Sequence, residues 1–236
     1  MTGYKGLNMD MRAIHGEGRQ YEIGKWYKAE EESGFLKGFC FCKKIEQVDW
    51  YYPLKKNRLF EIEAENILPT NGDNLQCLRI RFVREISQEE ILEYAEKLAK
   101  EKKDFSFCVK KFLIRYGVGI DRFLASENWK DRYLIAEEGI REDILAYDEN
   151  AHIRALIASK GKSLDILVKD ESWFVRMAVA KCGRDKDLDV LVYDKDQRVR
   201  CVVAGKGRPK DLKMLAFDED WHVRLAVNRV VGTQNK

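Results

Sequence analysis

The amino-acid sequence predicts an α+β N-terminal domain followed by an all-α solenoid of about five to six repeats. Two observations support this fold class. Residues 104–231 of the 236-residue chain repeat a pattern of aspartate, valine, arginine and glycine every 22 to 24 residues, whereas residues 1–86 lack that period. A period of this length is typical of stacked helical repeats. We therefore predict a small mixed α/β domain at 1–86, a junction and capping helix at 87–103, and the helical repeats at 104–236.

Each column of the repeat predicts one part of a helix. The segments start at residues 104, 126, 148, 170, 194 and 218 with Asp or Ser, which suit a helix N-cap or the turn before it. Apolar residues five, eight and nine positions later fall on one helical face. A glycine then suits a left-handed helix end. These glycines are Gly117, Gly139, Gly161, Gly183 and Gly207. The apolar segment after each glycine is predicted to form a short helix or a single turn.

The arginine column has two interpretations. Its members, six residues after each repeat start, are Arg132, Arg154, Arg176, Arg200 and Arg224. As a binding feature, they would direct guanidinium groups at phosphates. As a structural feature, each would bond an aspartate or a carbonyl of its own or the next repeat, because a partly covered cation needs a partner within the protein. We favour the structural ladder.

The N-terminal residues predict strands and helices separated by turns. Strand-like runs cover residues 21–23, 26–27, 39–41, 59–64 and 75–83, and residues 43–52 form a candidate helix. In the last run, Leu78, Ile80 and Phe82 alternate with arginines, as in a half-buried strand.

A capping box predicts the start of the junction helix. Ser87 is followed three residues later by Glu90, the spacing at which the two residues cap a helix reciprocally. We expect the buried face of this helix to contain Ile91, Leu92, Ala95, Leu98 and Ala99.

Charge, composition and cysteine spacing limit the function classes. Lys and Arg total 43 against 40 Asp and Glu, and this net charge of +3 excludes a polycation or an acidic tail protein. No apolar run approaches the ~20 residues of a membrane-spanning helix, and the N-terminus lacks a secretory signal. We therefore expect a soluble, cytoplasmic protein with no membrane partner. Cys40 and Cys42 have no second ligand pair at metal-site spacing, so we expect reduced thiols, no metal and no cofactor.

Charge is distributed unevenly within each repeat. Acidic residues gather at the repeat starts and basic residues after the helix ends, as the helix dipole favours. Stacking would turn the basic groups into one edge, which is a candidate nucleic-acid surface. The candidate binding residues of this basic edge are Lys181, Arg184, Lys186, Lys206, Arg208 and Lys210. Trp173 and Trp221, three residues after their repeat starts, are either binding anchors or lids over the core between repeats.

The repeats resemble two known families. The pattern D-x-x-x-x-V-R-x-x-V-A-x-x-G resembles the second helix of HEAT-like repeats. The 24-residue step and the compact second segment look more like the leucine-rich repeat variant, which alternates an α-helix with a short 3₁₀ helix. The resemblance covers residues 104–231. It implies a curved surface that binds a macromolecule, usually a protein and sometimes a nucleic acid.

The N-terminal part resembles an uncharacterised domain of bacterial and phage proteins that is often joined to repeat arrays. The segments that carry this resemblance are YKG at 4–6, YEIGK at 21–25, GFCFC at 38–42, YYP at 51–53 and REI at 84–86. It implies a phage-related counter-defence role.

The order of these segments is also similar to that of ADP-ribosyltransferases. The corresponding catalytic residues are Lys5, which stands where those enzymes have Arg or His, together with Tyr51 and either Glu63 or Glu65. This similarity implies a carboxylate that stabilises an oxocarbenium-like transition state, and NAD as the substrate or cofactor.

The sequence therefore favours a non-catalytic interaction protein whose helical-repeat surface binds a macromolecular partner, in the first place a protein. Two alternatives stay open. One is nucleic-acid binding along the basic edge, and the other is an NAD-using ADP-ribosyltransferase activity of the N-terminal domain.

Overall fold

The computed structural model describes residues 1–13, 19–29, 31–32, 35–36, 38–70, 72–101 and 104–234. Contacts between residues divide the chain into two compact units, Met1–Ile120 (unit 1) and Asp121–Lys236 (unit 2). Unit 1 combines an antiparallel sheet with helices, and the described part of unit 2 is helical. The predicted fold class is confirmed.

Unit 1 is organised by its strands. They are β1 (Thr2–Leu7), β2 (Trp26–Lys28), β3 (Glu31–Glu32), β4 (Phe35–Leu36), β5 (Phe39–Cys42), β6 (Arg58–Leu68) and β7 (Asn74–Ile86). β3 pairs with β4, and the other five form an antiparallel sheet in the order β2-β7-β5-β1-β6. β6 also pairs with β7, so that β5, β1, β6 and β7 are joined in a ring.

The core of unit 1 follows from the alternation predicted for β7. Ile80 and Phe82 lie opposite Ala64 and Ile62 of β6, and all four are buried. The buried cluster consists of Leu7, Tyr21, Phe41, Phe60, Ile62, Ala64, Cys77, Ile80 and Phe82. The register of the two long strands shifts between Glu61, which lies opposite Arg84, and Ile62, which lies opposite Phe82.

One predicted strand is wrong. Residues 21–23 form no strand, because Ile23 makes only an isolated bridge to Phe82 and Gly24, at φ 85°, turns the chain directly afterwards. The runs at 26–27, 39–41, 59–64 and 75–83 are confirmed within β2, β5, β6 and β7.

The helices of unit 1 are α1 (Ile45–Tyr51), α2 (Gln88–Glu101) and α3 (Phe107–Arg115), and α4 (Ile120–Leu124) follows them. Helix α1 confirms the helix predicted at 43–52. It is fixed by two buried carboxylates, since Glu46 accepts a hydrogen bond from the Tyr94 hydroxyl at 2.6 Å and Asp49 pairs with Arg115 of α3.

The capping box of α2 is confirmed. The Ser87 amide donates to Glu90 at 2.9 Å, and the Glu90 amide donates to the Ser87 hydroxyl at 3.2 Å. Ile91 and its partners four and seven residues later are buried. The expectation for Leu92 is wrong, because this residue lies about 100° around the helix from that row and is 39% exposed.

Unit 2 alternates long and short helices. They are α5 (Trp129–Glu137), α6 (Glu142–Leu145), α7 (Ala151–Ser159), α8 (Leu164–Leu167), α9 (Trp173–Cys182), α10 (Asp185–Leu191), α11 (Gln197–Gly205), α12 (Pro209–Leu215) and α13 (Trp221–Gln234). Each long helix packs on the long helix of the next repeat. The predicted short second segment is therefore confirmed as a helix, of four residues in the repeats that start at 126 and 148 and of seven in the 24-residue repeats.

Local chemistry explains the boundaries of these helices. The N-cap is the third residue of the repeat, as at Asn150, whose side chain accepts from the His152 amide at 2.9 Å. The first residue, Asp148, lies in the turn before it and accepts the Asn150 amide at 2.8 Å. The glycine column ends the long helices with φ between 73° and 76°, where a side chain would be strained.

The arginine column forms the predicted structural ladder. Arg154 donates through Nε and Nη2 to the two carboxylate oxygens of Asp170 in the next repeat, at 2.7 and 2.9 Å. Its Nη1 donates to the carbonyl of Asp148 in its own repeat at 2.7 Å. The same three contacts occur at Arg132, Arg176 and Arg200. Since these guanidinium groups are buried, each requires all of its partners.

Candidate functional site

A recurring set of exposed apolar side chains lies on the short helices of unit 2 and in the turns that follow them. We call it the apolar stripe, and it consists of Ile144, Tyr147, Ile166, Val190, Tyr193, Met214 and Phe217. Tyr193 is 72% exposed and Phe217 is 90% exposed. Exposed side chains of this size are unremarkable singly, but a contiguous row marks an interaction site.

The stripe has a simple position in the repeat. Its members lie four residues and one residue before the repeat starts at 148, 170, 194 and 218. Lys169 is the exception, because it occupies the second of these positions before the start at 170. The opposite side of each short helix is buried through leucines such as Leu188 and Leu191. Sequence reasoning identified those buried leucines but missed the stripe. The stripe could have been predicted from the sequence, because each short segment contains more apolar residues than the buried face of one short helix can hold.

Four cations of the predicted basic edge, Arg184, Lys186, Arg208 and Lys210, are paired with carboxylates. Arg184 binds Asp187 of its own helix α10 and also donates to Asp165 of α8 at 2.8 Å. Lys186 lies 2.6 Å from the same Asp165 carboxylate. Hydrogen bonds from Lys186 and Arg184 lower the pKa of Asp165, which stays ionised.

The next repeat reproduces this arrangement. Arg208 contacts Asp211 of its own helix α12 at 2.7 Å and Asp189 of α10 at 2.8 Å. Lys210 lies 2.6 Å from Asp189 and lowers the pKa of that carboxyl. The basic edge is therefore a second set of cross-links between repeats.

The two remaining basic candidates are Lys181 in the last turn of α9 and Lys206, which directly follows α11. The Lys206 ammonium group donates to the carbonyl of Lys181, which helps to cap that helix. The Lys181 side chain is exposed and, within the described ranges, forms no ion pair. A nucleic acid that bound along this edge would have to compete with carboxylates for most of its cations.

The two candidate tryptophans differ in their surroundings. The Trp173 ring is covered by Arg198, whose guanidinium carbon lies 3.4 Å from the ring centre. Trp221 is 58% exposed and stacks on His222 with ring centres 3.7 Å apart. Trp173 is thus a partly covered side chain, whereas Trp221 is accessible to a partner.

The structure does not bring the predicted catalytic residues together. Lys5 lies opposite Phe60 and shares its buried face, where its ammonium group donates to the Cys40 carbonyl at 2.6 Å. Glu63 lies opposite Thr2 on the other face of the sheet. Tyr51 is the exposed last residue of α1.

Both candidate glutamates are held by arginines of the neighbouring strand. Glu63 pairs with Arg81, and Glu65 pairs with Arg79, each at 2.6 Å. These cross-strand pairs are the ordinary chemistry of a solvated sheet face. NAD chemistry at either glutamate would require its arginine to move away.

A small pocket in unit 1 is lined by Asp49, Trp50, Cys108, Lys111 and Arg115 and has a volume of about 160 Å³. It contains none of the four predicted catalytic residues. Burial raises the pKa of the Cys108 thiol to about 11, so the thiol is protonated and a weak nucleophile at neutral pH. The volume is below the roughly 300–1,000 Å³ of most small-molecule sites.

The cysteines of the sheet are also protonated thiols. Burial raises the pKa of Cys42 to about 12 and that of Cys77 to about 11. Across the residues that the structure describes, no three His, Cys, Asp or Glu side chains are close enough to share a metal ion. The described helices include none with the length and apolar character needed to cross a membrane.

Comparison with known proteins gives two similarities. A family model described as a domain of unknown function, DUF7666, matches residues 1–94. A solved structure described as a leucine-rich repeat variant with a novel repetitive protein structural motif is similar at 26% identity, with a TM-score of 0.48. That match covers 58% of this chain and 63% of the other chain, so it spans less than two thirds of that structure. The search of curated proteins found no match.

The family match bears on the two resemblances noted for the N-terminal residues. The N-terminal resemblance to an uncharacterised domain is confirmed over residues 1–94. The similarity to ADP-ribosyltransferases stays a prediction.

Proposed function

We propose that the protein is a non-catalytic interaction protein whose repeats bind a protein partner through the apolar stripe. The observation that carries this proposal is the exposure of apolar side chains at the same two positions of successive repeats. In a stacked array, equivalent positions of neighbouring repeats lie side by side. The stripe is therefore a surface that four short helices and the turns after them share, with Lys169 at one of its positions.

The composition of the stripe favours a protein partner. Tyr147, Tyr193 and Phe217 offer large rigid rings, which contribute binding energy at small entropic cost. A complementary partner presents its own apolar side chains, for example along one face of an amphipathic helix.

The charges around the stripe support the same choice. The neighbouring cations Arg184, Lys186, Arg208 and Lys210 are neutralised by aspartates of the short helices. Phosphate binding needs cations that exchange small counterions, whereas apolar contact is favoured beside a neutral surface. The phage-related role implied by the N-terminal domain would then consist of binding a host protein.

A site-specific photo-cross-linker at Tyr193 tests the proposal. Cross-linking in a native lysate, with a matched cross-linker at Leu92 of α2, should yield a partner that is specific to position 193. Leu92 is an exposed apolar residue of unit 1, so it reports non-specific apolar contact. The partner, once purified, should bind the double variant Tyr193→Asp/Phe217→Asp at least tenfold more weakly than the unmodified protein.

The Leu92→Asp variant should retain full affinity, and circular dichroism should show that both variants remain folded. The proposal fails if position 193 yields no specific partner. It also fails if the partner binds the double variant as tightly as the unmodified protein.

A further inference from the structure

Four arginines of the ladder show how this chain binds an aspartate between repeats. In each, Nη1 is held by a carbonyl at the start of the same repeat, which leaves the Nε and Nη2 edge directed at the next repeat. Nε and Nη2 donate to the two carboxylate oxygens of one aspartate. In Arg176 these hydrogen bonds to Asp194 are 2.6 and 2.8 Å long. Asp194 also accepts the amide of Asp196 at 2.9 Å, so the bound carboxylate belongs to the turn that starts a helix.

Arg224 is the fifth member of the arginine column. Its Nε and Nη2 atoms have no carboxylate partner among the described residues. Its Nη1 donates to the carbonyls of Asp218 and Glu219 at 2.6 and 2.9 Å, as in the other rungs. Among the described residues, no carboxylate reaches its Nε and Nη2, and the side chain is exposed. The guanidinium is therefore held in the orientation that receives an aspartate in the other four rungs.

Helix α13 is itself cationic, and the acidic residues near Arg224, at 218–220, lie in the turn before it. Helix α13 contains no acidic residue, and its exposed side chains include Arg229 as well as Arg224. Leu225, the residue beside Arg224, is also exposed. A second copy of α13 would bring the same cationic surface and would be repelled.

We propose that Arg224 is a docking site for an aspartate in the N-terminal turn of a helix of another protein. The carboxylate would accept hydrogen bonds from Nε and Nη2, as Asp148, Asp170, Asp194 and Asp218 do within the chain. Bidentate pairing of this kind is directional and distinguishes arginine from lysine. The site lies on α13, apart from the residues that define the apolar stripe, and therefore goes beyond the proposed function.

The probe for this site is a peptide that copies residues 146–159, which contain Asp148 and its helical turn. The full chain is labelled with ¹⁵N, and the side-chain Nε–Hε signals of its arginines are followed during titration. The Arg224 signal should shift in a saturable manner. Binding should weaken at least tenfold when Asp148 of the peptide is replaced by asparagine, or when the protein carries Arg224→Lys.

Arg229→Lys is the matched control on the same helix and should leave the affinity unchanged. The Tyr193→Asp variant should also bind the peptide normally, which separates this site from the apolar stripe. The proposal is overturned if the Arg224 signal does not respond, or if the aspartate and asparagine peptides bind equally. A dimer in sedimentation equilibrium that Arg224→Lys dissociates would also overturn it, because the occupant would then be a second copy of this chain.

Discussion

Lys5 is a buried charged residue that lowers the stability of the fold that contains it. It lies on the buried face of β1, where its ammonium group donates to the carbonyl of Cys40. Burial lowers the pKa of its ammonium group from the ordinary value near 10.5, because a charged group is poorly solvated there. The sheet therefore retains a lysine at a position where an apolar residue of similar length would fit better.

We expect Lys5→Met to stabilise the protein at pH 7 by about 1–3 kcal/mol, because it removes the desolvation of a buried cation. The advantage should shrink as pH rises from the lowered folded-state pKa towards 10.5. In that window the unfolded chain binds more protons than the folded one, so the unmodified protein gains stability with pH. Urea unfolding between pH 7 and 10.5 measures both quantities.

Lys28→Met provides the control, since Lys28 is exposed on β2. It should change neither the free energy of unfolding nor its pH dependence. A pH-independent effect of Lys5→Met would contradict the assigned cause.

At the scale of the elements, the repeats contain two kinds of ion pair, one buried between repeats and one on the surface. The four ladder arginines that bind an aspartate are buried, and each makes at least three directed bonds. Arg198 represents the other type, since it is half exposed and pairs with Asp196 in its own repeat at 2.7 Å. Surface pairs contribute little because water competes for both charges, whereas a buried pair that loses one partner leaves an uncompensated charge.

The Arg176→Lys variant tests this difference. Lysine keeps the charge but cannot bond both oxygens of Asp194 and the carbonyl of Asp170 at once. We expect the free energy of unfolding to fall by about 2–4 kcal/mol. In chemical denaturation, Arg198→Lys should cause a much smaller loss, and equal losses would show that the ladder is not a stabilising element.

At the scale of the whole molecule, the repeats were predictable because their pattern recurs. Five or six imperfect copies of one sequence pattern identify the core positions, the arginine column and the C-cap glycines. The structure confirms all three. The ring of strands in unit 1 was not predicted, because it depends on register between residues such as Tyr4 and Cys42, far apart in sequence. Strand β1 was missed as a local pattern, since Gly3 and Gly6 interrupt its apolar residues and are required by close contacts with Phe41 and Tyr52.

The candidate sites were predictable only in part. Sequence charge located the basic edge, but it did not reveal that Asp165 and Asp189 bind its cations from the preceding repeat. The apolar stripe was not predicted, because a sequence pattern assigns apolar residues to the buried core first. The chemical type of Phe217 does not distinguish a buried ring from one that is 90% exposed.

The extended packing in unit 2 predicts that stability is local. Long helices pack on their neighbours, so a cavity should affect nearby helices most. Hydrogen exchange in Val227→Ala should show lost protection in α13 and unchanged protection in α5. Val179→Ala in α9 should lower the protection of α7 and α11 as well. A uniform loss across unit 2 in the Val227→Ala variant would indicate a single cooperative core instead.

The ladder also has a consequence for the way such an array changes length. Arg132 and Asp148 are 16 residues apart, while Arg176 and Asp194 are 18 apart, yet both pairs form the same two-pronged contact. The additional residues are absorbed after the glycine, where a four-residue helix becomes a seven-residue helix. Genetic duplication or deletion of one complete repeat would therefore join an existing arginine to an existing aspartate, and the array could evolve in length without inventing a new interface.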